Sequence, residues 1–515
     1  MSDQMYVYLA LGIYFGGMLL IGYMAFKRTV DHEDYMLGGR DLPPWVAALS
    51  AGASDMSGWL IMGLPGAIYA TGLIEAWIAV GLTLGAFLNW KFVAPRLRAY
   101  TEVANNSITV PSFFENRLHD KSHLLRIISS VIILVFFTLY VSSGMVAGGV
   151  FFEESFNMDY FAGMVLVVAI TLGYTLFGGF LGASFTDVVQ GLMMMVALGA
   201  VPVAAVLAIG GVGDTANLVE TVKPGNLSII GTGQFTTGAA ALVIISGLAW
   251  GLGYFGQPHI VVRFMALRGP HEAKRARRIG MTWMIISLSG AILTGLIGIA
   301  FFHQRGETLA NPETVVLRMS QILLHPFVAG LVLSAVLAAI MSTFSSQLIV
   351  CSSALIEDLY KVVRKTPPPQ RLLVILGRAA VLVVAAIAFV LAINPNDTIL
   401  GLVSFAWAGF GASFGPLMLL SLYWRKLTTA GALAGMIVGA VTVFVWSNLD
   451  TGIYEVLPAF VLNVVVAVVV SLATYREDAE VQAEFTSAVD MVKSGAPGDL
   501  SGPGAGRDGS MLPGR

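Results

Sequence analysis

Stretches of about 20 consecutive apolar residues recur along almost the whole chain, and the hydrocarbon core of a bilayer takes one such stretch per helix. No short motif narrows the fold as much. A chain of 515 residues that is 56% hydrophobic and 12% charged has more apolar surface than a soluble core can bury. The class is therefore an all-α polytopic membrane protein. A transmembrane β-barrel would show segments of about 10 residues with alternating polarity, which these runs do not. The one cysteine, Cys351, has no partner for an internal disulfide. A formal net charge of −2 and no basic domain give no footing for a nucleic acid. Nothing calls for an obligate protein partner; the partner read from composition is the lipid bilayer. The N-terminal "MSDQMYVY" has no basic segment, so the first apolar run reads as a span rather than a cleaved signal.

Segmentation gives thirteen spans, at 6–26, 45–70, 74–94, 125–150, 160–180, 188–210, 237–260, 279–303, 326–356, 372–393, 399–424, 428–447 and 457–474. Cytoplasmic connections of membrane proteins are rich in Lys and Arg. With the N-terminus outside, every one of the 29 basic residues except Lys223, Arg305 and Arg318 falls on the cytoplasmic side. That orientation puts Arg40 in the first cytoplasmic loop, Arg263 in a later one and the C-terminus in the cytoplasm. The expected location is the cytoplasmic (inner) membrane. After Thr474 a short surface helix is expected over "REDAEVQAEFTSAVDMVKSG", and "APGDLSGPGAGRDGSMLPGR" is expected to be disordered.

Two spans are interrupted. One carries "SAGASDMSGWLIMGLPG", with the carboxylate of Asp55 inside it; the other carries "SGLAWGLGYFGQPH". They stand five spans apart. An odd repeat enters the membrane from the opposite side the second time, so the pattern predicts an inverted five-helix repeat. Unwound backbone is tolerated at that depth only where it lines a cavity or binds something. In the ninth span, "LSAVLAAIMSTFSSQ" sets the hydroxyls of Ser342 and Thr343 side by side. Alone they read as helix–helix hydrogen bonds. Beside a broken helix, a site of oxygens without His or Cys suits Na+ rather than a transition metal. Glu75, just past the outer end of the second span, is expected to face water. His259 is expected to be capped or solvated.

The segments "LGGRDLPPWVAALSAGASDMSGWLIMGLPGA", "ILVFFTLYVSSGMVAGG", "GLAWGLGYFGQPHIVVRFMA" and "LSAVLAAIMSTFSSQLIVCSSALIEDLY" closely resemble the sodium/solute symporter family. The resemblance runs from about Tyr14 to Ala459. It implies the fold of the bacterial leucine transporter with additional flanking helices. On that plan the chain divides into 1–44, first span and loop; 45–210 and 237–424, the two repeats; 425–474, two further spans; and 475–515, the cytoplasmic tail. The resemblance further implies sodium ligands at the carbonyls of Ala53, Met56 and Ala339 and the hydroxyls of Ser342 and Thr343. It implies substrate contacts from Ser57, Trp59, Gly63, Tyr140, Trp250, Tyr254 and Pro258. Coupling roles fall to Asp55, Asp187, after the fifth span, and Arg40. Gln257 joins the pocket residues for its amide beside the second break.

The function implied is a secondary active symporter driven by Na+, with no enzymatic step. A secondary ammonium favours aromatic faces, by roughly 0.5–2 kcal/mol each, and four aromatics, Trp59, Tyr140, Trp250 and Tyr254, are expected near one cavity. With no Arg or Lys near either break, a substrate carboxylate relies on Na+, backbone N–H groups and hydroxyls such as that of Ser57. A sugar would want more amide and carboxylate partners, so a compact apolar amino acid fits best, and the resemblance, which covers the pocket segments as well, implies L-proline. The alternative is a sodium- or proton-coupled symporter of another small carboxylate or amino acid. A membrane oxidoreductase lacks its facing histidines, and a primary pump its nucleotide motif. A channel is disfavoured by the paired breaks.

Overall fold

The structure, a computed structural model, describes residues 2–28, 37–363, 369–395, 397–449 and 451–494. The expected disorder of 496–515 and the loop cations Arg364 and Lys365 lie outside them. Among the described residues all regular structure is helical, apart from one isolated bridge between Leu42 and Leu267. Eleven helices are long and apolar enough to cross a membrane, and two shorter apolar helices, Trp59–Thr71 and Tyr160–Leu176, accompany them.

The first interrupted span is broken where its composition predicts. Helix Pro44–Asp55 ends at Met56 (φ −84°, ψ 82°), and a wide-turn segment Trp59–Gly63 leads into helix Leu64–Thr71. The second runs as helix Thr237–Ala249, a tight 3-10 stretch Trp250–Gly256, an extended Gln257 and helix Pro258–Met265. Proline opens both Pro44–Asp55 and Pro258–Met265, at the position where a missing N–H costs nothing. Several other helices start on a side-chain cap: the Asp159 carboxylate accepts from Ala162, and the Thr236, Thr398 and Thr428 hydroxyls accept from Ala239, Gly401 and Gly431.

Residues Tyr160–Ile209 form 50 consecutive helical residues. At 1.5 Å per residue that is about 75 Å, more than twice the bilayer core. Gly179 (φ 56°, ψ −159°) parts the run into two rods, and the second begins there rather than near residue 188. The polar turn expected up to Asp187 is thus helix. Its polar side chains find partners inside the protein: Thr186 donates to the carbonyl of Gly182 at 2.9 Å, and Asp187 accepts from Ser50 at 2.7 Å.

The centre of the bundle is Pro326–Tyr360, 83% buried over its most apolar stretch, against 33% for the peripheral helices Thr429–Trp446 and Val456–Thr474. After the last span, helix Ala479–Ser494 lies against the basic end of the bundle, with Val481, Phe485, Ala488 and Met491 buried. At the other end, the carboxylate of Glu313 accepts the N–H groups of Ile399 (2.9 Å) and Leu400 (3.1 Å), the first turn of helix Ile399–Tyr423. A negative charge at a helix N-terminus is favourable.

Helix Ala76–Leu88 meets the second broken helix through glycines one turn apart, Gly81 and Gly85 against Gly247 and Gly251. A methyl group on Gly85 would overlap the carbonyl oxygen of Gly251, and one on Gly81 that of Gly247. Small residues at this spacing let two membrane helices approach backbone to backbone. Gly12, by contrast, has open space where a methyl group would stand, with nothing within 4 Å. Gly85→Ala is therefore expected to destabilise the folded protein by about 1–3 kcal/mol, lowering its thermal unfolding midpoint in detergent. Gly12→Ala should leave the midpoint unchanged, and an equal response of the two variants would show that this contact does not limit stability.

Candidate functional site

The two breaks and the middle of the central helix meet in the interior. Helix Pro44–Asp55 ends with its last carbonyls released from the helical ladder, and the central helix supplies hydroxyls to them. Ser342 donates to the carbonyl of Ala53 at 2.7 Å and lies 3.2 Å from that of Ala339; the Thr343 hydroxyl is 3.5 Å from the Ala53 carbonyl. These four residues are buried, as is Met56, which caps the helix through its N–H on Gly52 at 2.9 Å. Among the described residues no hydrogen bond ties the Met56 carbonyl to the other four. Every donor atom in the set is a hard oxygen, which suits Na+. No group of three or more His, Cys, Asp or Glu side chains poised for a metal occurs among the described residues.

Asp55 sits at the break and is partnered. The Tyr254 hydroxyl donates to one carboxylate oxygen, and the other has no hydrogen-bond partner. The Asp55 carbonyl accepts from the Trp59 indole at 3.2 Å and the Tyr140 hydroxyl at 3.4 Å. Trp59 and Trp250 lie with ring centroids 6.3 Å apart. Trp59, Tyr140, Trp250 and Tyr254 thus gather round the unwound Met56–Ser57 segment. The Ser57 hydroxyl faces the N–H of Trp59 at 3.4 Å.

Three of the expected pocket residues are placed differently. Gly63 packs one turn further on, where a methyl group would come within 3.2 Å of Leu400. The Gln257 amide donates to the carbonyls of Gly253 (3.2 Å) and Trp407 (3.1 Å), holding the second break in shape. Pro258 lines a separate, narrow cavity, which runs past Val262, Arg263 and Ser346 to Thr109 and Asp358. Its far end is crossed by hydrogen bonds from Arg126 and Thr109 to Asp358, each 2.8 Å.

Residues that the pattern did not single out complete the site. Trp407 stands edge-on to Tyr254 (5.1 Å), and its indole donates to the Trp250 carbonyl at 2.9 Å. Tyr454 packs on Trp250 at 5.1 Å. Neither lies near a break in sequence, so spacing gave no signal for them. Arg263, expected in a cytoplasmic loop, is buried on helix Pro258–Met265. It bonds the carboxylate of Asp187 (3.1 Å), the Ser50 and Ser346 hydroxyls (3.1 and 2.7 Å) and the carbonyl of His259 (2.6 Å). The expectation that no Arg lies near either break is therefore corrected. This guanidinium adjoins the second break and is committed to Asp187.

Arg40 spans the basic ends of both broken helices. It donates to the carbonyls of Ser107 (2.6 Å) and Met265 (3.3 Å) and to the Thr101 hydroxyl (3.0 Å). His259 is neither capped nor solvated. It is wholly buried, edge-on to Phe137 (5.4 Å) and Tyr140 (6.1 Å), with neither ring nitrogen hydrogen-bonded. Glu75 is half-buried at the foot of helix Ala76–Leu88 rather than open to water.

Comparison with known proteins agrees with this architecture. A family model described as the sodium:solute symporter family matches residues 35–439. The high-affinity proline transporter PutP of Bacillus subtilis is 56% identical over 477 residues, 92% of this chain and all of that protein. The sodium/proline symporter of Staphylococcus aureus is 49% identical over 499 residues, 94% of this chain and 96% of that one. Among solved structures, a Na+-coupled sialic acid symporter in a substrate-bound outward-open state superposes with a TM-score of 0.79 at 19% identity. It covers 92% of this chain and 99% of that one.

The Arg263–Asp187 pair has a measurable consequence. Both groups are buried, so removing one leaves the other charged and unsatisfied, a loss of about 3–5 kcal/mol. Arg263→Met should lower the thermal midpoint sharply, and adding Asp187→Asn should restore most of it. A double variant no more stable than Arg263→Met would show that the pair is not the energetic unit.

Proposed function

The chain belongs to the sodium:solute symporter family, and from that premise we infer that it is a secondary active symporter that takes up L-proline together with Na+. It is a transporter and not an enzyme, and it works across a membrane that its helices span many times. One observation carries the ion site. Hydroxyls at 342 and 343 converge on the carbonyl that the first break releases at residue 53. Ala53, Met56, Ala339, Ser342 and Thr343 are the proposed Na+ ligands. The Ser342 hydroxyl donates to the Ala53 carbonyl, so both oxygens lie where an ion would bind between them. Asp55, with one oxygen unpartnered, contributes the nearby negative charge.

The substrate site proposed is the aromatic cluster around the break: Ser57, Trp59, Tyr140, Trp250 and Tyr254, with Trp407 added. Aromatic faces stabilise the secondary ammonium of proline, and the apolar ring packs among them without a buried counter-charge. Gln257 and Gly63 shape the walls. Asp187 with Arg263, and Arg40 at the basic ends of the two breaks, are positioned to link site and cytoplasmic loops. The cavity from Pro258 to Asp358 is the proposed inner release route, closed by Arg126.

Thirteen spans are proposed, counting the broken one and Tyr160–Leu176 alongside the eleven long ones. The two five-helix units at 45–210 and 237–424 are read as inverted repeats that rock against each other for alternating access. Residues 1–44, 425–474 and 475–515 flank them. The proposed location is the cytoplasmic membrane, N-terminus outside and C-terminus inside, since that puts the basic end of the bundle in the cytoplasm.

Purified protein in proteoliposomes should accumulate L-proline when a Na+ gradient is imposed, with saturation, and not without Na+. Ser342→Ala and Thr343→Ala should each raise the half-activating Na+ concentration about 5- to 30-fold, as loss of about 1–2 kcal/mol implies, while the protein stays folded. Unchanged Na+ activation in both would remove these ligands from the site. Proline should raise the thermal midpoint only when Na+ is present, since bound ligand adds RT ln(1 + [L]/Kd). Strong Na+-driven uptake of another solute, with none of proline, would overturn the substrate and leave the symporter standing.

A further inference from the structure

On the outer surface of the bundle, near its basic end, the helices leave an apolar groove with about 1070 Å³ of open space. Its walls come from segments far apart in sequence: Leu88 and Phe92, then Phe255, then Leu420 and Tyr423, then Val468. The Tyr423 hydroxyl donates to the carbonyl of Phe92 at 2.9 Å and ties two of the walls together. Leu88 and Phe92 are each 39% exposed and Tyr423 43%, so the groove faces outward from the protein. Tyr and Trp gather at the headgroup level of a bilayer, and Tyr423 and Trp424 mark that level at the mouth of the groove.

The same rings carry cations. The Arg96 guanidinium lies 3.9 Å from the centre of the Tyr423 ring, and the Lys91 ammonium 5.0 Å from that of Phe92. Arg277 stands 5.2 Å from the ring of Phe87, next to Leu88, and Lys91 reaches the same ring at 5.9 Å. Among the described residues none of these three cations forms a salt bridge. Glu102, the acid nearest to Arg96 along its helix, is taken by Arg98 at 2.6 Å. Arg96 donates to one backbone carbonyl, that of Leu422 (2.7 Å). A long apolar slot thus opens beside two positive charges, Lys91 and Arg96, that stand on its own rings, with Arg277 over the neighbouring Phe87. A zwitterionic lipid would bring a cation of its own against them. A second protein copy would bury their charge in an apolar contact.

We propose that this groove is a binding site for an anionic phospholipid, one acyl chain lying along Phe92, Leu420 and Val468 and the phosphate held between Lys91 and Arg96. Each juxtamembrane cation near an anionic lipid is worth about 1 kcal/mol, or roughly fivefold in affinity. The chain supplies the rest through apolar burial.

The test uses the full-length protein, titrated with phosphatidylglycerol or phosphatidylcholine and followed by native mass spectrometry. Wild-type protein should retain phosphatidylglycerol in preference to phosphatidylcholine. Lys91→Ala with Arg96→Gln should lower phosphatidylglycerol retention about five- to twentyfold and leave phosphatidylcholine alone. Lys223→Ala with Arg305→Ala, exposed cations at the opposite end of the bundle, should change neither. Val468→Trp, which fills the groove without touching the charge, should also lower retention, and it keeps the proposal open to refutation should the charge variant fold poorly. Equal retention of the two lipids, equal losses in both charge variants, or retention unaffected by Val468→Trp would each overturn the site. So would a groove found filled by a second copy, seen as a dimer that Val468→Trp dissociates. Na+-driven proline uptake is measured separately, so failure of the lipid site leaves the transport reading intact.

Discussion

The hydrogen bond from the Ser342 hydroxyl to the Ala53 carbonyl joins residues 289 positions apart and satisfies a carbonyl that the first break frees from the helix. A helix that ends inside a bilayer leaves carbonyls with no partner, and each costs several kcal/mol if left so. Here the central helix provides the partner, and that fixes much else. The central helix must be buried on nearly all sides to reach the break, and it is the most buried of the spans. The second break must lie opposite, because Tyr254 holds the Asp55 carboxylate and Trp250 faces Trp59. The glycines at 81, 85, 247 and 251 let that second broken helix come close enough.

Below this meeting point the protein buries a charged pair, which in a low-dielectric interior is stable only when fully hydrogen-bonded. The guanidinium of Arg263 is satisfied by one carboxylate, two hydroxyls and a carbonyl drawn from four different helical segments. Ser50 lies on the helix that ends at the first break, Asp187 on the rod after Gly179, Ser346 on the central helix one turn past Ser342. The proposed ion site and the ion pair therefore share two of their helices. A shift of the central helix against Pro44–Asp55 alters both at once.

Much of this is legible in the sequence, because the bilayer imposes simple lengths. Apolar runs mark the spans, and the Gly- and Ser-rich stretches at 50–59 and 246–256 mark the breaks, since only there does unwound backbone have a use. The residues that the sequence misplaces share one cause. Arg263 and Asp187 read as loop residues because charge ordinarily means water. Here each is the other's partner, a fact that lives in three dimensions and not in the local run. His259 misleads in the same way: its environment is the faces of Phe137 and Tyr140, which come from another helix. Trp407 and Tyr454 stay hidden because aromatics are common in membrane helices, and nothing near them in sequence points to a cavity.

The asymmetry between the two breaks bears on how an ion can drive a solute. The first break holds oxygens: the carbonyls of Ala53 and Asp55, the Ser57 hydroxyl and the Asp55 carboxylate. The second holds rings and the amide of Gln257, which spends its N–H groups on the carbonyls of Gly253 and Trp407. A small cation therefore has partners at the first break and few at the second, while an apolar ring has the reverse. They touch at Asp55, whose carbonyl takes Trp59 and Tyr140 and whose carboxylate takes Tyr254. A ligand shifts a conformational equilibrium only by its difference in affinity between the two states. Because the same residue's oxygens orient the aromatic walls, ordering the first break with a cation also sets the walls that a zwitterion needs. The energetic coupling between ion and solute then requires no long path, only the few bonds that radiate from Asp55.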